Sequence, residues 1–151
     1  GGPTALLLSR QNLPFVARDE AVLANVGRGG YVLSDASDFK AIIIATGSEV
    51  SLALDAKEAL AKEGIAVRVV SMPSTDVFDA QDEAYRESVL PKGTVRVAVE
   101  AGVRDFWFKY VGLDGAVVGI DRYGESAPAG DLFNYFGLTV EAVATAVKKV
   151  L

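Results

Sequence analysis

Arg10 is the residue whose type and position point to ligand chemistry. It stands in the string Ser9-Arg10-Gln11-Asn12, directly after the apolar run 5–8, which has the length of a buried strand. Parallel sheets bind ligands at the carboxyl ends of their strands, and the planar guanidinium of arginine can hold a phosphate with two parallel hydrogen bonds. Arg10 is therefore a candidate phosphate ligand. A structural salt bridge at a domain boundary is the alternative that spacing alone leaves open.

A second candidate for anion binding is the string Thr46-Gly47-Ser48-Glu49. It follows a predicted strand and opens a predicted helix, whose first amides could hold an anion. The segment lacks the glycine spacings of the dinucleotide and P-loop motifs, and Glu49 would repel a phosphate placed there. The favoured interpretation is that Ser48 caps the helix.

Two further groups of side chains are assigned to structure. The carboxylates of Asp76, Asp79, Asp82 and Glu83 are spread over a loop and a helix start, so no metal site is expected and a solvated surface is predicted. The aromatic stretch 106–110 could stack on nucleic acid bases, but large aromatic side chains mostly fill cores or interfaces. We therefore predict that it forms part of the core or of a subunit contact.

The composition removes several classes of function. The chain has no cysteine and no histidine, which excludes a disulfide framework, a thiolate metal site and Ser-His-Asp or Cys-His catalysis by these residues alone. A net charge of −5 argues against binding to nucleic acid or to an anionic membrane. With half of its 151 residues hydrophobic and no apolar run of membrane-spanning length, the chain is expected to fold as one packed domain.

The elements that must position these residues alternate between strand and helix. The β-branched run 41–45 has the pattern of a strand buried on both faces, and the next helix runs from Ser48 until Gly64 ends it. Segment 11–28 is expected to be a connector with one or two helical turns. Further strands are predicted at 5–8, 31–33, 66–71, 95–99 and 116–120, and further helices at 81–90, 129–136 and 140–150, the last capped by Thr139. This order predicts an α/β fold with three αβα layers and a mostly parallel, doubly wound sheet.

Several longer strings, in this order along the whole chain, resemble the C-terminal domain of transketolases of the bacterial type. The matching strings are 8–13 (LSRQNL), 28–33 (RGGYVL), 45–50 (ATGSEV), 70–76 (VSMPSTD), 85–91 (YRESVLP) and 124–129 (GESAPA). The resemblance implies a transferase of the pentose phosphate pathway that moves a two-carbon ketol unit from a ketose phosphate to an aldose phosphate. It also implies thiamine diphosphate, a divalent metal (Mg or Ca), a homodimer and a cytoplasmic location. The arginine of the family's Ser-Arg-Gln string binds the substrate phosphate, and this arginine corresponds to Arg10.

The same resemblance implies that the catalytic parts lie outside this sequence. The family's Gly-Asp-Gly motif with its downstream asparagine is absent, and Leu113-Asp114-Gly115-Ala116 does not replace it. The glutamate that activates the cofactor belongs to another domain, and the active-site histidines have no counterpart here. We therefore expect no catalytic, cofactor-binding or metal-binding residue in this chain, and no activity of the chain alone.

The resemblance also predicts a domain division and leaves one competing function. Residues 1–13 are expected to be the end of the preceding pyrimidine-binding domain or a linker, and residues 14–151 the transketolase C-terminal domain. The chain is expected to be a piece of a longer enzyme, or a separately encoded subunit, that packs against the remaining domains and the second subunit. The competing function is an independent regulatory module that binds a small anion or nucleotide at Thr46-Gly47-Ser48.

Overall fold

The fold of residues 2–151 is described by a computed structural model. The strands are β1 (Tyr31–Ser34), β2 (Ala41–Ala45), β3 (Val67–Ser71), β4 (Val95–Val99) and β5 (Ala116–Val118). The helices are α1 (Glu20–Val26), α2 (Glu49–Lys62), α3 (Thr75–Asp79), α4 (Glu83–Val89), α5 (Phe108–Val111, after a 3-10 turn at Asp105–Trp107), α6 (Ala129–Phe136) and α7 (Val140–Val150). None of these helices combines the length and apolar composition needed to cross a bilayer.

The strands form one mixed sheet in the order β1-β3-β2-β4-β5. β2 pairs in parallel with both β3 and β4, and β5 continues the parallel part, whereas β1 adds an antiparallel edge beside β3. The last residue of β2, Ala45, lies in register between Ser71 and Val99. The carboxyl ends of the three central strands therefore meet at one edge, which we call the carboxyl edge of the sheet. This arrangement confirms the predicted doubly wound α/β fold.

The helices cover both faces of the sheet because β2 is apolar on both sides. Ala41, Ile43 and Ala45 pack in one cluster with α2 and α7, while Ile42 and Ile44 pack in a second cluster with residues of α3, α4 and α5. All five residues of β2 are fully buried. Alternate side chains of an extended strand point to opposite faces, so a continuous β-branched run requires two covering layers.

The helix ends follow the predicted chemistry in most places. Thr139 Oγ1 accepts a hydrogen bond from the Ala142 amide at 3.2 Å and so caps α7. Gly64, with φ of +78°, reverses the chain after α2, a conformation that costs glycine little. α1 supplies the helical turns expected in the connector, and α6 and α7 have the predicted bounds.

The predicted strand at 5–8 is wrong. No strand of the described sheet pairs with this segment, and the side chains of Leu6, Leu7 and Leu8 are 79–89% exposed. A strand requires hydrogen-bonding partners beside it, and a short apolar run does not by itself identify them. Arg10 therefore does not follow a strand; it lies in a bend of an irregular segment.

The structure also corrects the start of α2. Ser48 does not cap this helix: its backbone is already helical, with φ of −65° and ψ of −27°, whereas a capping residue has an extended backbone. The Ser48 hydroxyl instead donates to Glu49 Oε1 at 2.7 Å.

Other boundaries differ from the sequence prediction by one or two residues. The predicted strand 116–120 stops at Val118, since Ile120 donates its amide to Gly102, beyond the end of β4. The predicted helix 81–90 is limited to Glu83–Val89, and β3 begins at Val67 rather than at residue 66. Helix α3 was not predicted, since five residues are too few to show a helical period.

Candidate functional site

An irregular N-terminal segment brings Ser9, the neighbour of Arg10, near the carboxyl edge of the sheet. Residues 2–19, which we call the strap, contain no helix or strand, and Ser9 lies over the turn that follows β2. A Cβ atom built on Gly47 would come within 3.9 Å of Ser9 Oγ. The two strings that sequence analysis selected separately, Ser9-Arg10 and Thr46-Gly47-Ser48, are therefore neighbours.

The Arg10 side chain is exposed. Within residues 2–151 it takes part in no ion pair within 4.0 Å and in no side-chain hydrogen bond. Within residues 2–151, Arg10 thus does not form the structural salt bridge that the sequence left open as an alternative to phosphate binding. A guanidinium without a protein partner keeps its donors available for an anion.

Gly47 allows the tight turn between β2 and α2. Its φ of +53° lies in the left-handed region, which other residues adopt only at a cost. β2 ends at Ala45 and α2 starts at Glu49, so only three residues reverse the chain. The turn presents its glycine to the strap, and the first helical side chain, Glu49, points inward.

Two glutamates lie at the carboxyl edge below this turn. Glu49 is only 2% exposed, and Glu100, directly after β4, is partly buried. Burial, together with the charge of Glu49, raises the pKa of Glu100 to about 7. Burial also raises the pKa of Glu49, although hydrogen bonds from Ser48 and from the amides of Glu49 and Ala101 oppose the rise. From the sequence, Glu49 was expected only to repel phosphate, and no motif marks Glu100.

An open cleft of about 520 Å³ separates the carboxyl ends of the central strands. Its lining residues are Thr46, Met72, Pro73, Ser74, Thr75, Asp76, Glu100, Val103, Phe106 and Trp107. The chain leaves β2 toward one face and β4 toward the other, so this cleft is the topological switch point where doubly wound folds bind ligands. The lining has no lysine or arginine and contains two carboxylates, so the cleft itself does not suit an anion.

A second open cleft, of about 600 Å³, lies between the strap and the sheet. Strap residues 13–16 form one wall, and Tyr31, Val50 and Ser71 contribute to the other. Arg18 fixes the far end of the strap, since its Nε donates to the Tyr31 hydroxyl at 2.9 Å. The strap is therefore attached to the domain through few polar contacts.

The described residues do not fit thiamine diphosphate or its metal. No group of three or more histidine, cysteine, aspartate or glutamate side chains is arranged to hold a metal ion within residues 2–151. A diphosphate at the start of α2 would meet the carboxylates of Glu49 and Glu100.

The other candidate residues have structural roles. Asp82 caps α4 by accepting from the Tyr85 amide at 2.7 Å, and Asp79 pairs with Lys109 and accepts from the Tyr110 hydroxyl. Trp107 and Tyr110 are buried in the core cluster, with ring centroids 5.8 Å apart, while Phe106 and Phe108 remain about half exposed. The aromatic stretch thus contributes to the core, as predicted.

The comparisons with known proteins agree with this architecture. Residues 29–139 match the family model described as the transketolase-like TK C-terminal domain. The chain is 62% identical to transketolase 1 of Escherichia coli strain K12 over 152 aligned positions, which cover 99% of this chain and 23% of that protein.

Solved structures show the same relationship. A transketolase variant from Pichia stipitis is 40% identical with a TM-score of 0.85, and the complex of that organism's enzyme with sedoheptulose-7-phosphate is 41% identical with a TM-score of 0.84. Each match covers 93% of this chain and 20% of the solved chain. The chain thus spans about a quarter of the length of the curated relatives or less. Because the family model covers most of its length, the chain belongs to the transketolase C-terminal domain family.

Proposed function

We propose that this chain works as the C-terminal part of a transketolase, which transfers a two-carbon ketol unit from a ketose phosphate to an aldose phosphate. The identity to bacterial transketolases supports this proposal. In the proposed enzyme, other domains hold thiamine diphosphate and a divalent metal, and the active unit is a homodimer. On the same family resemblance, we assign the enzyme to the pentose phosphate pathway and to the cytoplasm.

Within that enzyme, residues 1–13 are proposed to belong to the end of the preceding pyrimidine-binding domain or to a linker, and residues 14–151 to the C-terminal domain. The strong exposure of Leu6, Leu7 and Leu8 supports this division. Three consecutive exposed leucines form an apolar surface of the kind that is usually covered by a partner. A neighbouring domain would provide that cover.

Arg10 is proposed to bind the phosphate of the sugar substrate. The observation that carries this proposal is the exposed guanidinium, which has no carboxylate partner in the described chain and lies on the strap beside the Gly47 turn. The N–H groups of such a guanidinium can donate two parallel hydrogen bonds to a phosphate dianion. Because the arginine touches only the phosphate, it contributes to substrate binding and not to the chemical step.

The test is the Arg10→Ala variant of the full-length enzyme. A charge-assisted contact contributes about 1.5–3 kcal/mol, so kcat/KM for phosphorylated sugars should fall roughly tenfold to hundredfold. The loss should appear mainly in KM, since binding of the phosphate is retained in the transition state. The affinity for thiamine diphosphate, measured by calorimetry, should remain unchanged.

Two controls make the result specific. An unphosphorylated aldehyde acceptor should react equally well with both enzymes, because it has no phosphate for Arg10 to bind. Arg86→Ala removes another exposed arginine, on α4, and should leave the kinetics unchanged. The assignment fails if Arg10→Ala does not change KM for any phosphorylated donor or acceptor.

The competing function, an anion or nucleotide module at the start of α2, is less well supported. Glu49 is buried at that helix start and Glu100 lies at the end of the neighbouring strand, so a bound anion would face two carboxyl groups. Calorimetry of the isolated chain with nucleotides and sugar phosphates tests it. Saturable micromolar binding of one of these ligands that is unchanged in Arg10→Ala would favour an anion-binding module at the start of α2.

A further inference from the structure

The open cleft at the switch point of the sheet contains negative charge that no described cation balances. Glu100 and Asp76 are the two charged residues among its described lining. Within residues 2–151, neither carboxylate has a lysine or arginine nitrogen within 4.0 Å. Glu100, which directly follows β4, is partly buried, and burial of a carboxylate without a partner is unfavourable. A positively charged ligand in this cleft would therefore be stabilised.

The cations on the segment that follows β4 are bound elsewhere. Arg104, on the loop after the strand, is paired with Asp121, which accepts from both its backbone amide and its guanidinium. Lys109, on α5, donates to the carboxylate of Asp79. These two cations therefore do not neutralise the cleft.

Aromatic rings form part of the same wall. Phe106 and Trp107 both line the cleft, and Trp107 is buried whereas Phe106 is 52% exposed. The Phe106 ring meets Trp107 edge to face, with 5.6 Å between ring centroids, and its centroid lies 5.9 Å from that of Tyr110. The core thus fixes this ring while half of its surface stays accessible. Cations are attracted to the face of an aromatic ring, so the wall favours the same charge as the carboxylates.

Apolar side chains and hydroxyl groups complete the lining. Met72, Pro73 and Val103 supply apolar surface, and the volume of about 520 Å³ lies in the range of small-molecule sites. A metal ion gains nothing from such walls. Within residues 2–151, moreover, no group of three or more histidine, cysteine, aspartate or glutamate side chains is arranged to hold one. The lining therefore suits an organic cation.

We propose that this cleft binds a small organic ammonium ion, whose charge is balanced by Glu100 and Asp76 and whose apolar body packs against Phe106. The place agrees with the rule that doubly wound folds bind ligands at the switch point. From the sequence, Asp76 was expected on a solvated surface and Phe106 in the core or a subunit contact, and the fold brings both to one cleft. This inference does not depend on the phosphate-binding role of Arg10.

The first test compares benzylammonium, benzyl alcohol and benzoate as ligands of the 151-residue chain. The three molecules share a ring and differ in charge. Trp107 is the single tryptophan of the chain and lines the cleft, so its fluorescence reports binding there. Burial, together with the charge of Glu49, raises the pKa of Glu100 to about 7, and the titrations are therefore run at pH 8, where this carboxyl group is mostly ionised.

Benzylammonium should bind in the millimolar range, as expected for a ligand of this size. It should bind about tenfold more tightly than benzyl alcohol, because the alcohol lacks the charge that the carboxylates and the ring attract. Benzoate should not bind. Equal affinities for benzylammonium and benzyl alcohol would overturn the proposal, and the wild-type chain alone can give this result.

Single variants identify the groups that hold the cation. Glu100→Gln and Asp76→Asn each remove one charge, and Phe106→Leu removes the ring but keeps an apolar side chain. Each should weaken binding of benzylammonium about threefold or more. Asp105→Asn and Phe108→Leu are the matched controls, since both residues are exposed on the same segment and neither lines the cleft. The site is wrong if both carboxylate variants bind like the wild type, or if the controls lose as much affinity.

The second test asks whether the cleft is open in the full-length enzyme. Saturation-transfer NMR of benzylammonium should give a signal with the wild-type enzyme that is strongly reduced in the double variant Asp76→Asn/Glu100→Gln. If the 151-residue chain binds benzylammonium but the two full-length enzymes give equal signals, the rest of the polypeptide covers the cleft and the small-molecule role is wrong. The kinetics of Arg10→Ala test the proposed function alone, so failure of one proposal leaves the other standing.

Discussion

Two arginines occupy equivalent positions on either side of β2 and bind the same helix end. Arg68 on β3 and Arg96 on β4 are both in register with Ile42. Arg68 donates to the carbonyls of Ser88 and Val89, while Arg96 donates to those of Leu90 and Pro91. The carbonyls at the end of a helix lack partners within the helix and carry a partial negative charge. The two guanidinium groups satisfy these carbonyls and hold the end of α4 against the sheet.

Arg68→Lys should therefore destabilise the chain although it preserves the charge. Arg68 also binds both carboxylate oxygens of Asp35 at 2.9 Å, a bidentate geometry that lysine cannot reproduce. We expect a loss of about 1–2 kcal/mol in the free energy of unfolding at pH 7, near the value of one or two hydrogen bonds. Urea unfolding measures it, and Arg86→Lys on the exposed side of α4 is the control.

The pH dependence of this loss provides a second check. The hydrogen bond from Arg68 is the main cause that holds the pKa of Asp35 below its ordinary value of 3.8. A lowered carboxyl pKa means that the stabilisation is present above the unfolded value and is lost as the pH falls through the folded value. The difference between Arg68→Lys and wild type should thus be smaller at pH 3 than at pH 7. An equal difference at both pH values would show that the ion pair does not contribute to it.

Gly29 allows the backbone just before β1 to pack closely against the backbone of α3. It has φ of +85°, and a Cβ atom there would lie 2.4 Å from the Ser74 carbonyl oxygen and 2.5 Å from the Phe78 nitrogen. Its own carbonyl accepts from the Ser74 amide at 2.9 Å. The close approach of these two backbone segments is possible only because Gly29 has no side chain.

Gly29→Ala and Gly64→Ala form a matched pair for this argument. Both glycines have a positive φ, but a Cβ on Gly64 would meet no atom within 4 Å. Gly64→Ala should cost about 1 kcal/mol, the strain of the left-handed backbone alone. In Gly29→Ala the new methyl group would also clash with backbone atoms, so the loss in the free energy of unfolding should be about 2–4 kcal/mol. Thermal and urea unfolding compare the two, and equal losses would contradict the close contact.

The elements that could be predicted are those whose own residues carry the signal. β2 and β4 were predicted with their observed bounds because their β-branched runs are typical of buried strands. The bounds of α7 were predicted because Thr139 caps it directly before its apolar face begins. The strap was misassigned because its leucines find no partner in the described chain. α3 was not predicted because its five residues are too few to show a helical period, and the burial of Phe78 depends on residues distant in the sequence.

The site was predicted only in part for the same reason. Arg10 was selected by its residue type and by a resemblance, although the strand assumed to precede it does not exist. The burial of Glu49 and Glu100 was not predicted, because it arises where the ends of β2 and β4 lie side by side in the sheet. A glutamate that follows an apolar strand or opens a helix is a weak signal in a sequence, and only the sheet order shows that both residues lie at the same edge.

Truncation can test whether residues 1–13 contribute to the stability of the domain core. The core clusters contain no residue before Tyr31, and within the strap the leucines at 6–8 contact mainly solvent. A chain that starts at Pro14 should therefore unfold with a free energy within about 0.5 kcal/mol of the complete chain, as for changes at exposed positions.

Removal of residues 140–151 is the contrasting truncation. This change deletes α7. Its side chains Val143 and Val147 are fully buried against the sheet. Each buried valine contributes about 1.5–3 kcal/mol of hydrophobic free energy, so their joint loss approaches the total stability of a small domain. We expect this chain to be unfolded by circular dichroism, whereas the chain that starts at Pro14 keeps a native spectrum. If removal of residues 1–13 instead costs more than about 2 kcal/mol, these residues are part of the folded unit and the proposed domain division at residue 13 is wrong.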